Sequence, residues 1–186
     1  MTAQNPPDTR IRHKLTVEEF LLLDREGAFG WRSTELIDGE IFYMSPKHRA
    51  HARMIGNLYF RIRKALEDSC SPYSALIDVS VRLSDHDVPE PDIVITAEPD
   101  GDGIVPLETV KLVIEVADST LATDLKVKAP RYAQFGVPEY WVVDVTAKTV
   151  HQMSAPVGDS YTERRELQMD GPVASTTIPD LRIDLV

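Results

Sequence analysis

Cysteine is nearly absent from this chain: Cys70 stands alone, so no disulfide can form within it. A reducing compartment is the simplest setting, which predicts a cytoplasmic location. Long apolar runs are missing too. No stretch approaches the roughly 18 residues that cross a bilayer. The polar opening over residues 1–10, with Pro6 and Pro7, has no basic segment leading into an apolar one. Neither a membrane span nor a secretory signal is predicted, and residues 1–12 read as a loose tail. Positive charge is in short supply: 20 Lys and Arg against 30 Asp and Glu leave a net charge of -10, which repels polyphosphate at long range. A nucleic-acid ligand therefore requires basic residues gathered where it lies, or carboxylates neutralised by bound cations. There is also no Ser nucleophile elbow and no Gly-rich phosphate loop, which excludes two common families of enzyme.

What is present suits one globular domain over residues 13–186, with 42% hydrophobic and 27% charged residues. Thr16 and Glu19 form a capping box ahead of Phe20 to Leu23, which predicts a helix near 16–25. Asp38-Gly39 between two β-prone runs predicts a hairpin near 33–44. From His48 to Asp68 the apolar residues Ile55, Leu58, Ile62 and Leu66 recur at helical spacing, giving the longest helix. Leu76 to Leu83 alternates as one half-buried strand. Ile93–Ile95 and Leu112–Val116 read as buried strands. A helix then ends at Phe135 and Gly136, and a strand follows from Tyr140 to Val145, so a parallel crossover is predicted. Weaker strand signals lie around Val150, Tyr161–Leu167 and Leu181–Leu185.

Two carboxylates stand out. Asp92 opens one apolar run and Glu115 lies inside the next, and an ionised carboxylate there is costly unless it is paired or binds a metal. If the two strands pair, alternation lets both carboxylates point to one place at the sheet rim, a site for a hard divalent cation such as Mg²⁺. Downstream, Asp124 and Lys128 are four residues apart and share a face if their segment is helical. Pro130 is tolerated in a first helical turn, so the regular helix starts near Ala129.

The ordered succession Glu35-Leu36-Ile37-Asp38-Gly39-Glu40, His51, Pro91-Asp92, Val113-Ile114-Glu115-Val116 with Ser119, Asp124, Lys128-Ala129-Pro130-Arg131-Tyr132, and Gly136-Val137-Pro138-Glu139-Tyr140-Trp141 resembles the Uma-type restriction-endonuclease family. That family belongs to the PD-(D/E)XK nuclease superfamily. The resemblance spans roughly residues 16 to 150. It implies an α/β (α+β) fold with an αβββαβ core, a mixed sheet flanked by helices, and a divalent metal, Mg²⁺ or Mn²⁺, at the sheet edge. Asp92 matches the aspartate of the PD half-motif and Glu115 the acid of the second. The superfamily's usual lysine would fall on Ala117, and Lys128 on the following helix stands in for it, as in the Uma-type proteins. The implied activity is metal-dependent hydrolysis of phosphodiester bonds in nucleic acid, DNA before RNA. Asp92, Glu115 and the Val116 carbonyl would hold the metal, and Lys128 would orient water or stabilise charge. A homodimer is what many nucleases of this kind form.

Other positions carry weaker readings. Glu40 matches an acidic family position and is placed among the catalytic residues, against a plain hairpin glutamate. His51 is in register with Ile55 and Leu58, and its alternative is a satisfied buried histidine. Asp124, Tyr132 and Glu90 are assigned supporting roles, although Tyr132 also suits the core and Glu90 the surface. Arg53, Arg61 and Lys64, with Lys47, Arg49 and Arg63, offer a strip for phosphate, against a solvated helix face. His48 and His51 lack the third ligand of a zinc site. Asp100-Gly101-Asp102-Gly103 lacks the bidentate glutamate of a calcium loop, since Lys111 occupies that position. The second reading is a non-catalytic nucleic-acid or metal-binding module that kept the fold, and a third is an interaction protein without metal.

Overall fold

The computed structural model describes residues 11–97 and 101–185; most of the expected tail, and part of the Asp100–Gly103 segment, lie outside them. Helix α1 spans Val17–Arg25. Its capping box is formed, with Glu19 N–H donating to Thr16 Oγ1 at 3.2 Å and Thr16 N–H to Glu19 Oε2 at 2.8 Å. Strands β1 (Thr34–Ile37) and β2 (Glu40–Tyr43) form the expected hairpin. Asp38 and Gly39 both take positive φ, 52° and 75°, the combination a tight two-residue hairpin demands. Gly39 is also required by space, because a Cβ there would lie 2.5 Å from Lys14 Cβ. Val17, Phe20 and Phe29 pack with Leu36 and Val88 in a small core under this hairpin.

Helix α2 runs Arg49–Asp68 and buries Ile55, Leu58, Ile62 and Leu66. Strands β3 (Ser74–Ile77), β5 (Ile93–Thr96), β7 (Val110–Ala117), β8 (Glu139–Asp144), β9 (Thr149–Val157) and β10 (Ser160–Gln168) form the main sheet in the order β10-β9-β8-β7-β5-β3. Within this sheet, among the described residues, β7 and β8 alone pair in parallel, as the helical crossover between them predicts. The αβββαβ core is therefore α2, β3, β5, β7, the crossover helices and β8. A short hairpin, β11 (Pro172–Ala174) with β12 (Arg182–Asp184), closes the chain. One sheet face packs on α2 and this hairpin; the other packs on the crossover helices.

Two expectations change. The alternation from Leu76 to Leu83 is not one strand: β3 ends at Ile77, Asp78 enters the left-handed region at φ 49°, and β4 (Val81–Arg82) pairs instead with β6 (Val105–Pro106). A period of two survives a kink when both halves keep one face buried, so the pattern did not mark the break. The crossover is also more elaborate than one helix. A single turn, α3 (Leu121–Thr123), leads into a π-helical turn at Asp124–Lys128 and then α4 (Ala129–Gln134). Ala129 N–H bonds back to the Asp124 carbonyl. Such widened turns occur frequently at functional sites, and this one carries both Asp124 and Lys128.

Candidate active site

Asp92 follows Pro91 at the start of β5, and Glu115 lies in β7. The ladder pairs Ile93 with Ile114, so one further step in register sets Asp92 opposite Glu115, on the same face. Both are buried, at 4% exposure each. They open onto a cleft of about 490 Å³ whose lining includes Glu35, His51, Val116, Asp124 and Lys128. With Asp118, which also lines it, five carboxylates share one concave site.

Each carboxylate is held by particular donors. Asp92 Oδ2 accepts the Val116 N–H at 2.8 Å and lies 3.2 Å from His51 Nε2. A carboxylate only accepts, so Nε2 carries the proton. Lys47 Nζ is 3.4 Å from Asp92 Oδ1 and also pairs with Asp78. Burial raises the Asp92 carboxyl, but the His51 hydrogen bond, the Val116 N–H and the nearby cations outweigh it and hold the group below its usual range. On the other side, Lys128 Nζ is 3.0 Å from Glu115 Oε1 and 3.7 Å from Glu35 Oε2, and Tyr132 OH donates to Glu115 Oε1 at 3.3 Å. Burial pushes Glu115 up to about 8; Lys128 opposes this, while Asp92 and Asp124 add to it. Asp124 is raised by burial as well, although Thr120 Oγ1 donates to it at 2.6 Å. The Lys128 ammonium is held charged by the carboxylates around it, against its own burial.

The other positions sort clearly. His51 and Tyr132 touch Asp92 and Glu115, and Asp124 lines the cleft. Glu40 does not reach it: it is exposed beside the hairpin turn, paired with Ile37. The hairpin's acidic contribution is Glu35, which the alternation of β1 places on the face opposite buried Leu36. Glu90 is half-buried and accepts from Ser33 Oγ at 3.1 Å; its side chain is not part of the cleft lining, although its N–H donates to Glu35 Oε2 at 3.4 Å. Arg53 and Lys64 are exposed on α2 and Arg61 is partly covered. Lys64 is bound to Asp68 at 2.7 Å and lies roughly 20 Å along the helix from His51 at 1.5 Å per residue, which takes it out of the cleft. Lys47, just ahead of α2, is the cation beside Asp92. The sequence groups it with the basic strip of α2, and a loop position carries no periodicity that would aim it at Asp92.

The structure thus combines a mixed sheet with an acidic pair at its rim and a lysine on the crossover segment. Residues 17–185 match the Uma2 family, whose description reads "Putative restriction endonuclease", and the chain belongs to that family. Among solved structures, a putative nuclease of the DUF820 group from Anabaena variabilis shares the fold, with a TM-score of 0.70 at 17% identity over 92% of this chain and 95% of that one. No curated protein matches the chain.

Proposed function

We propose that the protein is a metal-dependent endonuclease that hydrolyses phosphodiester bonds of nucleic acid, DNA in the first place, in a cytoplasmic setting. The observation that carries this reading is the opposed pair Asp92 and Glu115, buried together with a lysine at 3.0 Å.

A divalent cation fits the donor set. Among the described residues no three His, Cys, Asp or Glu side chains already converge as a ligand group, but Mg²⁺ needs few protein ligands and takes the rest from water and phosphate. Asp92, Glu115 and the Val116 carbonyl supply hard oxygens. Glu115 is raised chiefly by its burial, with Asp92 and Asp124 adding to it, and a bound cation would favour its ionised form. Bound there, the ion would polarise the phosphate and acidify water. The chain's own residues do the rest. His51 and the Val116 N–H fix Asp92 Oδ2, while Oδ1 faces Lys47 at 3.4 Å, the contact a metal ligand would replace. Lys128 holds its ammonium between Glu115 and Glu35, where it can orient the attacking water or meet charge that develops on phosphorus. Tyr132 keeps Glu115 from rotating away.

The test is incubation of supercoiled plasmid and single-stranded circular DNA with Mg²⁺ or Mn²⁺, with a chelator control. Cleavage that stops on chelation is expected, and full activity in a Glu115→Gln protein would overturn the assignment. Metal binding without cleavage of any nucleic acid would favour the binding-module reading.

His51 provides a graded check. A positioning partner behind a metal carboxylate contributes roughly 10–100-fold, so His51→Ala should cut at that fraction of the wild-type rate and need more Mn²⁺ to saturate. His51→Gln keeps a donor toward Asp92 and is expected to recover part of the loss. Equal Mn²⁺ titration curves for His51→Ala and wild type would remove His51 from the site.

A further inference from the structure

Six of the thirteen aromatic side chains are buried, Tyr132, Tyr140, Trp141 and Tyr161 among them. Of the four exposed ones, Phe60 lies on α2 and the other three lie in the segment around the first hairpin. Trp31 is 90% exposed, Tyr43 54% and Phe42 47%. Arg32 lies between two of these rings, its guanidinium carbon 4.9 Å from the Tyr43 centroid and 6.0 Å from that of Trp31. Around the cleft the cations are claimed by acids, Lys47 by Asp78 and Asp92, Lys128 by Glu115 and Glu35, Arg131 by Asp87 and Asp38. Arg32 makes no ion pair among the described residues, and its contacts are the rings.

The cluster runs directly into the candidate active site. Phe42 and Tyr43 both line the carboxylate cleft, and Phe42 is the cross-strand partner of Glu35. Open ring faces with an unclaimed guanidinium are the groups that bind unpaired bases, because every base has a π-face and stacking needs no sequence match. A duplex offers no such faces, its bases being stacked on one another. A duplex binder relies instead on many phosphate contacts, which a chain of net charge -10 is poorly equipped to make.

We infer that Trp31, Arg32, Tyr43 and Phe42 form a stacking platform and that the substrate enters the cleft as single-stranded nucleic acid, or as an unpaired stretch of a longer one. This rests on the nuclease reading only for the chemistry at the cleft; the binding stands apart from it.

The experiment uses the whole chain in EDTA, so that binding is read without cleavage. Labelled dT and rU oligonucleotides of about 15 nucleotides, and a duplex of equal length, are titrated by fluorescence anisotropy at one fixed salt concentration. The single strands should bind at least ~10-fold tighter than the duplex. Stacking on a ring is lost on truncation, so Trp31→Ala and Tyr43→Ala should each weaken single-strand binding by about 10-fold and leave duplex binding unchanged. Tryptophan emission should be quenched by oligonucleotide in the wild type and not in Trp31→Phe, since Trp141 is buried. A preference for either dT or rU satisfies the proposal. Equal affinity for duplex and single strand, or wild-type affinity in Trp31→Ala, overturns it, as does a Trp31 that responds to no oligonucleotide, the behaviour of a protein-docking surface. A chain that binds this way but never cuts defeats only the nuclease reading. One that cuts duplex at full rate as Trp31→Ala defeats only the platform.

Discussion

Glu115→Gln is expected to lower metal-dependent cleavage by roughly 10³-fold, the scale on which a single electrostatic group at a reacting centre acts, while leaving the metal-free protein at least as stable as wild type at pH 8. The first half follows from the loss of a charged metal ligand. The second follows from the pH sign. Glu115 has a folded pKa raised to about 8 from an ordinary 4.5. Between those values the folded state holds a proton that the unfolded state has released, so this group makes the fold less stable as pH rises through that window. Glutamine carries no such charge and still accepts from Lys128 and Tyr132. Lys128 keeps Glu35 as a partner at 3.7 Å. Thermal melts in EDTA should therefore show wild type losing more stability than Glu115→Gln between pH 5 and pH 8, and added Mn²⁺ should raise the melting temperature of wild type alone. Parallel pH curves for the two proteins would refute the raised carboxyl. Metal stabilisation of both would move the metal elsewhere.

Much of this was legible in the sequence because it rests on local rules. The capping box at Thr16, the Asp-Gly turn, the 3.6-residue period of α2 and the apolar runs of β5, β7 and β8 are each decided within a few neighbours, and each element formed where expected. The pairing of Asp92 with Glu115 was inferable from alternation alone once the two strands were taken as neighbours. What escaped depends on distant groups. Glu35 and Glu40 are both acids of one hairpin, and only the docking of that hairpin against the crossover helix places Glu35 by Lys128 and leaves Glu40 in solvent. At the kink Asp78 N–H still reaches the Asp92 carbonyl at 3.3 Å and its side chain pairs with Lys47, and the partners change beyond it, where Val81 N–H goes to the Pro89 carbonyl at 2.9 Å. The π turn has no residue pattern of its own.

The second large effect concerns a glutamate that takes no part in the chemistry. Glu139, the first residue of β8, is fully buried, yet burial does not win: its carboxyl sits below the usual range because Ser175, Trp141, the Thr176 N–H and Thr177 donate to it. Trp141 Nε1 and Gln152 Nε2 bind Oε1 at 2.7 and 2.8 Å, while Ser175 Oγ and Thr177 Oγ1 bind Oε2 at 2.6 and 2.8 Å. Residues 175–177 begin the link between β11 and β12, so this one carboxylate ties the C-terminal hairpin to the sheet that holds Glu115. Glu139→Ala strands several buried donors at once, and breaking a buried charged network costs about 3–5 kcal/mol, or on the order of 10 °C in a chain of this length. Glu139→Gln is expected to fall nearly as far, since its amide N–H₂ would face the same donors. The pH sign is opposite to that of Glu115. A depressed carboxyl stabilises the fold above its ordinary pKa near 4.5 and loses that contribution as pH falls toward the folded value. Wild type should therefore lose stability on acidification below that point while both variants respond less. Melting temperatures within a degree or two of wild type at neutral pH would show that the network adds little. A Glu139→Ala protein that stays folded at low temperature should still bind metal at Asp92 and Glu115, which separates the staple from the site it supports.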